Sequence, residues 1–360
     1  MRNKRLRVVA GIVAVGLVVA GIVTMSIGGG FARAETPSHA GSGMPAYKHI
    51  FYIMMENHSY DEIIGNAGAP HINALATTYG LATNYWGVTH PSEPNYVAST
   101  AGSFYGIQDD NPYWAHQVSA PNLGSQLEHA GLSWKTYQQS LPSVGFTGKN
   151  YPAGAVPGAQ DKLYASKHNP FVNYLSLYGP VPTTSADGEF PDNFTPNAAQ
   201  QAELNKMVPD TQLATDLANG TVPNLSYIVP DPCNDMHGTA SCGNDAALIA
   251  AGDQYVSATV HAIMSSKTWQ DGNNAIVVTW DENDFSPTNG SPGIASDGGH
   301  VATIVIANHG PRGVSYGAPT NHYALMLTIE DAFHLGCLQN SCPATGNIQP
   351  MTPLFRVSGN

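Results

Sequence analysis

The chain has 360 residues, and its 26 acidic against 14 basic side chains give a formal charge of −12. Such an acidic surface excludes non-specific binding to nucleic acid or to anionic membranes. It leaves phosphate esters open as substrates, because a bound cation can supply positive charge locally.

Residues 1–34 read as a targeting segment. Arg2, Lys4, Arg5 and Arg7 form a basic start, Val8 to Ile27 is almost wholly apolar, and Ala32-Arg33-Ala34 has the small-x-small form of a cleavage site. A cleaved signal peptide is expected. The length of the apolar stretch keeps a retained N-terminal membrane anchor as the alternative. Either way the body is exported. Without the five basic side chains of residues 1–34 the formal charge falls from −12 to −17. Residues 35–46 are a Ser/Gly/Pro-rich linker, and residues 47–360 are expected to form one domain with no internal repeat.

Phe51 to Met55 reads as a core strand that runs straight into Glu56-Asn57-His58, ahead of a helix near Tyr60. His71 to Tyr79 is a predicted helix. Thr89 to Gly102 sets several hydroxyls, two prolines and a histidine before another helix. Ser125 to Ala130 is helical and leads to a strand over Trp134 to Tyr137. Tyr151 to Gln201, rich in Pro, Gly, Asn and Ser, reads as a long functional loop or cap, ordered by its aromatics only over Tyr164 to Tyr178.

Regular alternation then resumes. Asp210 is placed to N-cap a helix ending at Gly220, and Leu225 to Val229 is a strand that runs into Asp231, Asp235 and His237. Asn244 or Asp245 starts a helix reaching about Lys267, with apolar residues at helical spacing. Ala275 to Trp280 is a strand ending at Asp281-Glu282, and Gly298-Gly299-His300 precedes a strand over Val301 to Ala307. A last helix runs from His322 to Leu335 and stops at Gly336.

Apolar strands alternating with helices predict a three-layer α/β/α sandwich with a mostly parallel central sheet. Open sheets of this kind bind ligands beyond the carboxyl ends of their strands. Three strands carry polar clusters there, and those carboxylates repel one another unless a cation lies between them. Oxygen-rich ligands with one or two histidines suit Ca²⁺, Mg²⁺, Mn²⁺ or Zn²⁺. Each cluster also has a plainer reading. Glu56 and Asn57 could cap the next helix, "DENDFSPTNG" could be a solvated turn, and His237 could sit on a surface loop.

Four cysteines fall in two close pairs, Cys233/Cys242 and Cys337/Cys342. Two local disulfides are the natural reading in an exported chain, although four cysteines allow three connectivities. Neither pair has the C-x-x-C spacing that a zinc site would favour. A hydroxyl at the start of the helix in "THPSEPNYVASTAG" would gain from the helix dipole and, on a metal, from a lowered pKa. Standing alone, Ser92 or Thr89 is only an N-cap.

The segments "MMENHSYDEIIG", "HPSEPNY", "VPDPCNDMHG", "TWDEND", "GGH" and "LTIEDAFHL" occur in this order. That ordered set resembles the bacterial and fungal phosphoesterases that include phospholipase C and acid phosphatases, distant members of the alkaline phosphatase superfamily. The resemblance spans about Lys48 to Leu338. It implies an alkaline phosphatase-like fold and a divalent metal held by Glu56, Asn57, Ser92, Asp281 and Glu282. Ser92 matches the nucleophile, with Thr89 as the alternative. Related enzymes carry Asp-Asp or Asp-His where this chain has Asp281-Glu282, which leaves the identity of the metal open. His237 and His300 match histidines that contact the phosphoryl group or protonate the leaving group, and Asp235 would orient His237. Asn95, His90 and His168 (in "SKHNPF") fall in the substrate pocket.

The expected activity is therefore hydrolysis of phosphate esters through a phosphoserine, with a small phosphate ester or a phospholipid head group as substrate and no stable protein partner implied. An acid phosphatase-like monoesterase and a phospholipase C-type diesterase remain alternatives. A third reading, from another class, is a calcium-stabilised extracellular binding protein.

Overall fold

The computed structural model describes residues 43–152, 162–179 and 195–356. The expected targeting segment, most of the linker, and much of the expected loop between Tyr151 and Gln201 lie outside those residues.

The strand after the linker, β1 (His49–Met55), is buried at every position past His49. It can be apolar throughout because it lies in the interior of a nine-stranded sheet with neighbours on both sides. The other strands are β2 (Gly80–Trp86), β3 (Trp134–Gln138), β4 (Met207–Pro209), β5 (Leu225–Val229), β6 (Asn274–Trp280), β7 (His300–Ala307), β8 (Val314–Tyr316) and β9 (Thr320–Asn321). Their order is β8-β2-β7-β6-β1-β5-β3-β4, with β9 also paired to β2. Every pairing is parallel except those of β7, which runs antiparallel to both β2 and β6.

β5 and β6 are buried at every residue, as β7 is past His300, so both faces of the central sheet are covered. Each fully buried aliphatic side chain there contributes about 1.5–3 kcal/mol. Covering helices include α1 (Pro70–Thr78), α2 (Ser92–Ala101), α3 (Thr211–Asn219), α4 (Asp245–Met264) and α5 (His322–Ala332). α1 packs on α4, and α2 packs on α5. The expected α/β class and mostly parallel sheet are therefore observed.

Several boundaries differ for local reasons. β2 is absent from the expectations because Thr83 and Asn84 break its alternation, where a register shift lies between Ala82 and Tyr85. Asp210 precedes α3 but does not cap it with its side chain, and its Oδ2 accepts the Tyr255 hydroxyl at 3.2 Å instead. Asn244, rather than Asp245, caps α4, its Oδ1 accepting the Ala247 N–H at 3.1 Å. Cys233–Cys242 and Cys337–Cys342 are both disulfides, so no cysteine remains for a zinc site. Among the described residues no helix is long and apolar enough to cross a membrane.

α5 is buried along its whole length, including Glu330. Glu330 Oε2 accepts the Ser341 hydroxyl at 2.6 Å, while Oε1 has no hydrogen-bond partner. Burial raises this carboxyl well above the usual range. An unfolded glutamate ionises near ~4.3, so the stabilising contribution is complete below that pH and is lost as pH rises toward the folded value. Glu330→Gln, which removes the titration, should therefore be more stable than the wild type by about 1–3 kcal/mol at pH 7, with the gap closing toward pH 4. Urea unfolding at the two pH values measures this, and a pH-independent gap would show that Glu330 does not titrate on unfolding.

Candidate active site

Register assembles the site. Met55 of β1 pairs with Trp280 of β6, so Glu56 and Asp281 leave the sheet side by side, the Asp281 N–H donating to Met55 O at 2.9 Å. On the other flank the Glu56 N–H donates to Asp235 O at 2.8 Å and draws in the loop after β5. Asn57 turns out at a φ of 51°, and its N–H donates to Asp281 Oδ1 at 3.2 Å. Ser59, not Glu56 or Asn57, heads the following short helix, its N–H donating to Glu62 Oε2 at 2.7 Å. The helix-cap reading of Glu56 and Asn57 is thereby excluded.

Ser92 is the first residue of α2. Its Oγ lies 3.0 Å from Glu56 Oε2 and 3.2 Å from Glu282 Oε1. Thr89 Oγ1 instead donates to the His90 carbonyl, which leaves Ser92 as the hydroxyl facing the acids. His90 Nδ1 sits 2.6 Å from Glu282 Oε2, and its ring stacks on Phe285 at 4.1 Å. Asn95, expected at the substrate, is a brace: its Oδ1 accepts the Val88 and Thr89 N–H groups, and its Nδ2 donates to Thr89 O, Pro91 O and Glu282 Oε2. Gly298 lets this turn close, since a Cβ there would lie 2.5 Å from Thr89 O and 2.8 Å from the Gly87 Cα. His322, which carries no sequence signal for a site, donates from Nε2 to Asp281 O at 2.6 Å and fixes that strand end. Burial lowers its pKa to about 4 and keeps it neutral.

A second wall comes from the "SKHNPF" stretch and the loop after β5. His168 Nε2 lies 3.1 Å from Glu56 Oε1, and its Nδ1 lies 3.3 Å from Asp235 Oδ2. The ring stacks on Tyr96 with centroids 5.2 Å apart. Asp235 Oδ1 accepts the backbone N–H of His237 at 2.7 Å, so Asp235 orients the His237 main chain and not its ring. The His237 Nδ1 hydrogen-bonds Gly238 O, which leaves Nε2 as the acceptor for the Lys167 ammonium at 3.1 Å. Lys167 also pairs with Asp110 at 2.9 Å. His300 begins the reversed strand β7 and so reaches the same sheet edge. There its ring stacks against Tyr60 and Trp86 and its Nε2 bonds Thr83 O, with no hydrogen bond or ion pair to the acids among the described residues. Sequence reasoning missed Lys167, whose only sign was its place beside His168.

Glu56, Asp235 and Asp281 are fully buried and Glu282 is 1 % exposed, so their charges meet at low dielectric. Burial, followed by mutual repulsion, pushes Asp281 and Asp235 well up. Burial raises Glu56 to about 8, with Lys167 opposing it. Burial also raises Glu282, against the pull of His90. Burial works against the charge of Lys167, but Glu56 and Asp110 outweigh it and raise its pKa. His168 is held neutral by burial and by Lys167.

The donor set fits a cation. Glu56 Oε1, Asn57 Oδ1, Asp235 Oδ2, Asp281 Oδ2 and His168 Nε2 are buried with no hydrogen-bond partner. Glu56 Oε1 and His168 Nε2 are close enough for an ion pair yet are not aligned as a hydrogen bond, as expected for two atoms directed at a common third one. Glu56, His168 and His237 each offer a ligand atom, all within 4.8 Å of one another. A cation between them would offset the repulsion that raises these pKa values.

Residues 66–336 match the model of the phosphoesterase family. The chain belongs to that family. Over 88 % of its length it is 30 % identical to a phosphatidylinositol-3-phosphatase of Mycobacterium tuberculosis, covering 85 % of that protein. It is 31 % identical to an acid phosphatase of Aspergillus fumigatus over 54 % of its length, covering 37 % of that protein. Among solved structures it resembles a protein of the alkaline phosphatase superfamily from Vibrio parahaemolyticus, with a TM-score of 0.50 and 11 % identity over 82 % of this chain and 68 % of that one. This phosphoesterase is thus a hydrolase acting on phosphoric esters, and the non-enzymatic binding-protein reading is set aside.

The brace role of Asn95 has a distinct signature. Asn95→Ala would leave the buried Val88 N–H and the part-buried Thr89 N–H unpaired and should cost about 2–3 kcal/mol of stability, with kcat falling and KM little changed. Chemical denaturation and steady-state kinetics test this together. A raised KM at unchanged stability would return Asn95 to the substrate.

Proposed function

We propose that the chain is an exported, metal-dependent phosphomonoesterase that passes the phosphoryl group through Ser92. One observation carries the reading: the Ser92 hydroxyl lies at the start of a ten-residue helix and between two buried carboxylates, at 3.0 and 3.2 Å. The helix N-terminus favours an anion docked against it, and the carboxylates orient the hydroxyl and take up its proton as it attacks phosphorus in line.

Glu56, Asn57, Ser92, Asp281 and Glu282 would hold the divalent metal, with His168 and His237 as nitrogen donors on the far side of Glu56. When bound it supplies Lewis acidity, lowering the pKa of the hydroxyl and offsetting the charge of the phosphoryl oxygens. Ca²⁺, Mg²⁺, Mn²⁺ and Zn²⁺ all suit this mixed set.

Lys167, anchored by Asp110, stabilises charge on the transferring group. Lys167, whose ammonium donates to His237 Nε2 and is held toward the site by it, is the group with a proton to give the departing alcohol. His237, with its Nδ1–H on Gly238 O and its pKa lowered to about 4 by burial, and His300, with its Nε2 on Thr83 O, do not offer that proton. His168, neutral between Glu56 and Asp235, holds the two acids apart. Water then releases phosphate from Ser92. The names of the relatives support a monoester substrate over a phospholipase C-type diester, and the two disulfides support an oxidising, exported setting.

Ser92→Ala should lower kcat on p-nitrophenyl phosphate by at least about 1,000-fold with an unchanged circular dichroism melt. Acid-quenched wild type should carry one added phosphoryl group by intact mass, and near-normal turnover in the variant would sink the assignment. Exhaustive chelation should abolish activity. Returning the metal at 100-fold above its Kd should stabilise the fold by about 2.7 kcal/mol. A thermal shift that survives in Glu56→Gln and Asp281→Asn would rule out this metal site.

A further inference from the structure

The described body is acidic, yet one cavity reverses that sign. Residues 35–360 hold nine Lys and Arg side chains, and three of them, Lys149, Lys162 and Lys167, line a single cavity of about 350 Å³. That volume suits a small ligand. Its only lining carboxylate among the described residues is Asp110, and Asp110 is paired with Lys167. Neither Lys149 nor Lys162 forms an ion pair among the described residues.

The two are brought there by backbone geometry. Asn150–Tyr151 pairs antiparallel with Tyr164–Ala165, and the Ser166 N–H donates to Lys149 O at 2.8 Å. This ribbon leads directly into Lys167 and His168. Lys149 has its pKa lowered first by burial and then by the charge of Lys162, so the ammonium groups repel each other. Glu93 and Asp110 offset this only in part, and like charges that share a cavity are favoured further by an anion bound among them. His168 and His237, which flank Glu56, line the same cavity and place it beside the proposed phosphoryl site.

We propose that this cavity is a second anion site, selecting phosphate monoesters that carry a further anionic group on the alcohol side. The inference rests on the phosphomonoesterase reading and requires that a phosphoryl group against Ser92 direct its alcohol past His168 and His237 toward Lys149 and Lys162.

The test compares glucose 6-phosphate with glucose 1,6-bisphosphate, which differ by one phosphate. Wild type should favour the bisphosphate in kcat/KM by about tenfold, the scale of one charge-assisted contact. K149Q/K162Q should erase that preference through KM, leaving kcat and turnover of glucose 6-phosphate unchanged, while K149R/K162R should keep it. A preference that persists in K149Q/K162Q, or an equal loss on both sugars, overturns the proposal. Hydrolysis of neither sugar would count against the phosphomonoesterase reading alone. Calorimetric binding of glucose 1,6-bisphosphate then decides the anion site: weakening in K149Q/K162Q supports it, and equal or absent binding in both proteins overturns it.

Discussion

Glu56 stands where two sets of polar side chains meet, and its burial constrains the rest of the site. One oxygen faces Ser92 and the other faces His168. A carboxylate fully removed from water is costly unless its charge is balanced, and here three further acids crowd the same sheet edge. Lys167, paired among the described residues with Asp110 and His237, lowers the cost of the Glu56 charge without bonding to any of the four acids. The remaining imbalance is what makes the orphaned oxygen and nitrogen atoms readable as ligands and not as packing errors.

The scaffold bears this load through rigid backbone contacts. Two strand ends are tied together by the bond from Asp281 to Met55, and the loop after β5 by the bond from Glu56 to Asp235. The Asn95 amide fastens the turn before α2 to Glu282. Glycine at position 298 allows that turn to lie against its neighbour at a separation no side chain could accept. The result holds a buried serine hydroxyl between two acids at the start of a helix, with its orientation fixed before any ligand binds.

Charge is distributed unevenly around this frame. The chain is acidic overall, its cluster of buried carboxylates more so, and the neighbouring cavity carries three lysines. On the proposed reading, an anionic substrate would meet repulsion over most of the surface and attraction at this cavity.

Much of this was legible in the sequence. The apolar runs at β1, β5 and β6 and the acids that end them are a local pattern, and a parallel sheet brings such ends together. The ordered motifs carried the family, and the spacing of the cysteines suggested their pairing. What sequence could not supply were facts set by register and approach in space. Asn95 reads as a pocket residue until its amide is seen to be fully bonded to the turn. His300 reads as a catalytic partner until its ring is found between Tyr60 and Trp86. Lys149 and Lys162 carry no signal along the chain, and share a cavity with the histidines only because a short ribbon brings them there. The sequence by itself determined which side chains end the strands, because period and polarity are local. Only the tertiary structure decided which of them touch, because contact depends on strand order and register between segments far apart in the chain.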